Sequence, residues 1–154
     1  MQPQRLDPTA DFAPVLRLIQ TEFAYMDGRI DPPSSMHRLT TADLARQAAE
    51  GEVWVIGTPA IACMVLTPKP DCLYLGKLAV AAAHRGQGLA RIMVDLACAR
   101  AQARGLPAVE LQTRVELTAN QAAFCALGFI EVARTAHAGY ARPTSITFRK
   151  AVAP

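Results

Sequence analysis

Between residues 84 and 90 the chain reads His84-Arg85-Gly86-Gln87-Gly88-Leu89-Ala90, its densest set of groups able to hold an anion. Gly86 and Gly88 let backbone approach a ligand with no Cβ in the way. A strand-like run precedes the segment and helical periodicity begins at Gln87, so the glycines feed a helix start. Free N–H groups and the positive end of the helix dipole then converge on one spot, which suits phosphate oxygens. Arg85 and Arg91 add positive charge. Two phosphate-binding patterns fail on spacing: a P-loop needs four residues between its glycines and a Lys-Ser/Thr after them, and a dinucleotide fingerprint needs a third glycine where Arg91 stands.

Other side chains with chemical potential are scattered. Lys77 sits in a strand-like run, where it either meets an acidic group or snorkels to the sheet's end. His84 reads as a turn residue, and His37 and His137 lack a Cys or His partner at ligand spacing, so no metal site is expected. Cys125 has no identifiable His or Asn partner and is expected to be a small buried residue rather than a nucleophile. The four cysteines, at 63, 72, 98 and 125, form no CxxC, which fits reduced thiols in the cytoplasm.

The elements that must position the glycine segment follow from periodicity. Residues 9–26 carry Phe12, Val15, Leu16, Ile19 and Phe23 at helical spacing after a Thr that could cap. Residues 27–35 are rich in Asp, Gly, Pro and Ser and predict a long loop able to wall a substrate site. A second helix is expected over 41–50, capped by Thr40 or Thr41 and stopped by Gly51. Three strands follow, over 52–56, 60–67 and 72–80, then a long helix over 87–104 and a strand over 109–113. The strand, helix and strand from 72 to 113 form a βαβ unit with parallel strands and a right-handed crossover. A last helix over 118–127 and strands over 129–135 and 145–150 complete an α+β layered domain: a mixed, mostly antiparallel sheet of six or seven strands flanked by about four helices.

The chain has 154 residues, one domain's worth, so a single domain over 1–154 is expected. Hydrophobic residues make up 51% and charged residues 19%, which excludes intrinsic disorder. The net charge of +3 comes from thirteen Arg and three Lys spread among 13 acidic residues, and nucleic-acid binding would call for a basic patch or tail. Residues 1–6 lack the basic stretch and apolar run of a secretory signal, and no apolar run nears about 20 residues, so neither export by that route nor a membrane span is expected.

The glycine segment resembles the pyrophosphate loop of the GNAT N-acetyltransferases, whose pattern is Gln or Arg, two residues, Gly, one residue, then Gly or Ala. Arg85, Gly88 and Ala90 match it. The preceding Lys77-Leu78-Ala79-Val80 is similar to that family's Leu-x-Val strand, and Ala126-Leu127-Gly128-Phe129 to its later Lys-Leu-Gly-Phe. The order of elements agrees across nearly the whole chain. The resemblance implies a single acetyltransferase domain whose strands over 72–80 and 109–113 splay to admit acetyl-coenzyme A as cosubstrate. Backbone of Leu78, Ala79 and Val80 would meet the pantetheine arm, and N–H groups from Arg85, Gly86, Gln87, Gly88, Leu89 and Ala90 the pyrophosphate. A strand N–H would polarise the thioester carbonyl.

The reaction implied is direct attack of a primary amine on the acetyl thioester. At pH 7 such an amine is free base for about one part in 2,500, a handicap of about 4.6 kcal/mol, so its proton must find a base. Tyr74 lies on the strand where some relatives place theirs, and Glu22 and Asp27 border the acceptor side; each also reads as a half-buried strand tyrosine or a solvated carboxylate. The family often has a Tyr that protonates the leaving thiolate four residues before the Gly of Gly-Phe. Here that residue is Phe124, with water or Tyr140 as substitutes. Asn120 begins the same helix and either contacts coenzyme A or merely starts the helix. The acceptor would be a small-molecule or peptide amine, walled by residues 23–35 and 137–144, and a homodimer is a further expectation. A second reading is a coenzyme A-binding module with weak or no turnover; a third is a nucleotide-binding regulatory domain.

Overall fold

The computed structural model describes residues 2–153. A seven-stranded sheet with order β1-β2-β3-β4-β5-β7-β6 carries helices on both faces. Its strands are β1 (Gln4–Arg5), β2 (Glu52–Ile56), β3 (Ala62–Pro68), β4 (Leu73–Val80), β5 (Ala108–Arg114), β6 (Ile130–Thr135) and β7 (Ser145–Ala151). The helices are α1 (Ala13–Phe23), α2 (Thr41–Glu50), α3 (Leu89–Ala103) and α4 (Thr118–Ala126). Every neighbouring pair is antiparallel except β4 and β5. The expected α+β mixed sheet with one parallel crossover is therefore the fold. Among the described residues no helix is long and apolar enough to cross a membrane.

The two faces bury separate cores because the strand residues alternate. Met64, Leu66, Leu73, Leu75 and Leu111 face α3, which buries Met93, Val94, Ala97 and Ala101 against them. Val53, Val55, Cys63 and Val65 face α1 and α2, where Ile19 and Leu44 are fully buried. Burying a side chain of this size stabilises by about 1.5–3 kcal/mol, so the sheet is clamped from both sides. On the α3 face the fully buried Glu52 accepts from Trp54 Nε1 at 2.8 Å, Arg100 Nε at 2.8 Å and Arg104 Nε at 2.7 Å. Burial alone would raise its pKa, but these donors outweigh it and hold the carboxyl at about 2.

Boundaries move where local chemistry competes. Helix α1 starts at Ala13 rather than at residue 9, because Thr9 is spent in a turn: its N–H and hydroxyl both donate to Asp7 Oδ1, at 2.8 and 2.6 Å. Its last expected turn, Ala24–Met26, tightens into a 3₁₀ helix. Helix α2 takes Thr40 as its cap, in a reciprocal box with Asp43. Strand β1, too short to leave a periodic signal, was absent from the sequence expectation; it pairs with Trp54 and Val55. Cys125, expected to be buried, is exposed, because the face of α4 that packs inward carries Phe124 instead.

Candidate active site

The glycine segment links β4 to α3 as the periodicity implied. Gly88 caps α3 at φ +79° and Gly86 has the same φ, a left-handed conformation that a side chain would strain. A Cβ built on either would meet nothing within 4 Å, so the space in front of the loop is open. The Arg85 amide is tied internally, donating to the Ala82 carbonyl at 3.3 Å. Among the described residues, backbone N–H groups 86 to 91 donate to no protein acceptor. This row of orphan donors at a helix start, with no Cβ before it, fits a diphosphate in both charge and room.

Below the loop the sheet parts. Strands β4 and β5 pair only at Leu73 with Val109 and Tyr74 with Glu110. Beyond that point β4 stays bonded to β3 as far as Val80, while β5 stays bonded to β7 as far as Arg114. Each strand is held by its outer neighbour, and a cleft of about 330 Å³ opens between them. Gly76, Lys77 and Leu78 line it on one side and Leu111 and Thr113 on the other.

The β4 wall is bulged. Cys63 pairs with Ala79 but Val65 pairs with Gly76, so the register slips, and Lys77 takes φ +53°, the only positive φ at a non-glycine residue among those described. A bulge leaves ladder groups unpaired, and this one lies on the cleft. Neither the bulge nor its Cys63 partner was foreseen, although a Gly inside a strand run is its usual signal.

Residues 15–129 match the family described as Acetyltransferase (GNAT) family. The chain belongs to that family. No curated protein matches the sequence. Solved structures agree on the fold. An acetyltransferase of the GNAT family from Staphylococcus aureus is similar with TM-score 0.74 and 10% identity, covering 99% of this chain and 100% of the other. The ribosomal-protein-S18-alanine N-acetyltransferase from Escherichia coli gives TM-score 0.70 and 19% identity, covering 99% and 94%. A GNAT acetyltransferase from Elizabethkingia anophelis, with acetyl-CoA bound, gives TM-score 0.69 and 13% identity, covering 98% and 97%.

Within this GNAT domain the anticipated site residues fall into two groups. Leu78, Tyr74, Asn120 and Phe124 line the cleft. Tyr74 stands where β4 and β5 part, and burial, the main cause, pushes its phenol pKa up. The Phe124 ring packs edge-on to Phe129 with centroids 6.1 Å apart, so an apolar face stands where a GNAT tyrosine is common. The Asn120 side-chain amide donates to Tyr25 Oη at 3.0 Å, tying α4 to the loop after α1.

Glu22, Tyr140, Ala79, Val80 and the loop residues Arg85, Gly86, Gln87, Gly88, Leu89 and Ala90 do not line the cleft. Glu22 accepts from Arg85 at 2.7 Å, which ties the end of α1 to the glycine segment. Tyr140 donates to Asp31 Oδ1 at 2.5 Å, and that hydrogen bond raises its pKa. Asp31 also lies 3.6 Å from Arg142, and its backbone N–H donates to Glu116 at 3.2 Å. These links join the segments over 23–35 and 137–144, expected as acceptor walls, across the sheet's end. Thr113 and Arg114 were not singled out in the sequence because nothing local marks them; only the parting of β4 from β5 puts them on a cleft.

Proposed function

We propose that this chain is an N-acetyltransferase that moves an acetyl group from acetyl-CoA to a primary amine by direct attack. The observation that carries it is the row of unengaged amides 86 to 91 on the loop that follows β4, the strand that parts from β5. Acetyl-CoA supplies an activated acetyl thioester when bound. Backbone of Gly86, Gln87, Gly88, Leu89 and Ala90 holds the diphosphate, with Arg85, oriented by Glu22, adding charge at the rim. The backbone edge of Leu78, Ala79 and Val80, which does not pair with β5, guides the pantetheine arm toward the Lys77 bulge. A backbone N–H freed there donates to the carbonyl oxygen as negative charge develops on it, a stabilisation typically worth about 3 kcal/mol.

As the amine attacks, the new N–C bond forms, the C–S bond breaks, the ammonium proton leaves and the thiolate is released. Tyr74 is the candidate proton-handling residue on the cleft. Its raised pKa keeps it protonated at neutral pH, so it orients the amine as a hydrogen-bonding partner and passes the proton toward solvent. With Phe124 in place of a hydroxyl, the thiolate leaves without side-chain help; a thiol pKa of about 8.5 makes that tolerable. Tyr140 serves by closing the acceptor side through Asp31.

The apolar Phe124 face also favours a second reading, a coenzyme A-binding module with weak or no turnover. Thiol release on mixing acetyl-CoA with an amine panel separates the two. Release with at least one amine supports the enzyme. Calorimetric binding of coenzyme A without release from any amine supports the module, and tighter binding of ATP than of coenzyme A overturns both.

A further inference from the structure

The charges around the cleft point to the acceptor's chemistry. Of the carboxylates around it, Glu22 pairs with Arg85 at 2.7 Å, Asp27 with His37 at 2.6 Å and Asp31 with Tyr140 and Arg142, while Glu116 accepts from the Asp31 amide through Oε2 and keeps Oε1 buried without a partner. None of the four lines the cleft. Two cationic side chains do, Lys77 and Arg114. Among the described residues Lys77 makes no ion pair or side-chain hydrogen bond, and the carboxylate acting on it at longer range, Asp43, is held by the α2 cap and by Arg46 at 3.2 Å. Arg114 donates only to backbone carbonyls, those of Pro32 at 2.7 Å and Pro33 at 3.4 Å, which fix its fork without neutralising it.

A second observation is independent of charge. Thr113, 7% exposed, lines the cleft, and its Oγ1 is buried with no hydrogen-bond partner. Buried hydroxyls are rarely left so, and an unmet one on a cleft wall marks a place where a ligand atom completes the bond. Opposite, Phe23, Met26 and Met36 form an apolar wall.

We infer that the acceptor is a primary amine bearing a carboxylate and an apolar body, the carboxylate being received by Arg114 and Lys77, while the Thr113 hydroxyl, on the other face of β5, is left for a different atom of the bound molecule. The inference rests on the acetyltransferase reading. A planar guanidinium suits a carboxylate, whereas a polyamine would bring further positive charge to a cleft whose lining holds Lys77 and Arg114 and no carboxylate. The same cations disfavour the ammonium form of the bound amine and so favour the nucleophilic free base.

Two measurements test it. The first is equilibrium binding of methionine and phenylalanine against their carboxamides, putrescine, and an aspartyl dipeptide amide, with coenzyme A present. The amino acids are expected to bind at least about tenfold tighter than their carboxamides, with putrescine weakest; the dipeptide amide reports whether a side-chain carboxylate serves as well as an α-carboxylate. Arg114→Gln should narrow the acid-to-amide ratio while leaving the coenzyme A dissociation constant within about twofold, and Lys77→Met should narrow the same ratio. Equal binding of acids and amides, or preference for putrescine, overturns the inference whether or not turnover occurs. The second is thiol release with the same panel. A carboxylate preference in binding with no release from any amine overturns the enzymatic reading but keeps the ligand class.

Discussion

The Cys63 Sγ lies 3.5 Å from the carbonyl oxygen of Lys77, across the bulge that separates β4 from regular pairing with β3. Burial pushes the Cys63 thiol up to about 12, so it remains a protonated donor at every working pH. The S–H satisfies a carbonyl that the slipped ladder would orphan, and thereby fixes the peptide planes from Lys77 to Leu78 that face the cleft. Cys63→Ala should remove this restraint, lowering kcat about tenfold while the KM for acetyl-CoA changes less than threefold; Cys63→Ser, which keeps a donor, should recover most of the rate. A purely structural role would lower stability in both variants without splitting kcat from KM.

Gly88→Val tests the loop. The left-handed φ of +79° costs a non-glycine residue about 1–2 kcal/mol, and the new side chain fills space now open before the amides. Coenzyme A affinity by calorimetry should fall at least a hundredfold, with Tm lowered by only about 2–8 °C. Unchanged affinity would remove residues 86 to 91 from the phosphate site.

The pH dependence of turnover follows from Tyr74. Because its pKa lies above the ordinary value, it holds its proton through the neutral range and cannot act there as a simple base. Turnover at subsaturating amine should rise about tenfold per pH unit through neutrality as the free-amine fraction grows. Tyr74→Phe should lower kcat but keep that slope. Glu22→Gln should alter the KM for acetyl-CoA, through the released Arg85, more than kcat. A plateau below pH 8 that either variant abolishes would identify that residue as the base.

Acid stability should report Glu52. Its folded pKa of about 2 lies below the ordinary 4.5, so it contributes stability that is present above pH 4.5 and lost as pH falls toward 2. That shift corresponds to on the order of 3 kcal/mol. Glu52→Gln should destabilise the protein at pH 7, leaving Arg100 and Arg104 without their anion, and the gap from wild type should close between pH 4.5 and 2. A constant gap in denaturant titrations across that window would contradict the assignment.

What the sequence determined by itself is local. The Gly86 and Gly88 turn, the 3.6-residue period of α3 and the Thr40 cap are set by neighbours a few residues apart, so they are readable along the chain and carry the family resemblance with them. Even the boundary errors were local contests, as where Asp7 captured Thr9 before α1 could use it. The parting of β4 from β5 was implied only by the family resemblance; in the chain it depends on β3 and β7 each holding their partner past Tyr74 and Glu110, and β5 and β7 are tens of residues apart. Tertiary structure alone also decided the sign of the acceptor wall. The sequence offers Asp27, Asp31 and Arg29 in the first loop and Arg142 in the second, and only their pairing in space engages those acids elsewhere and leaves Lys77 and Arg114 on the cleft.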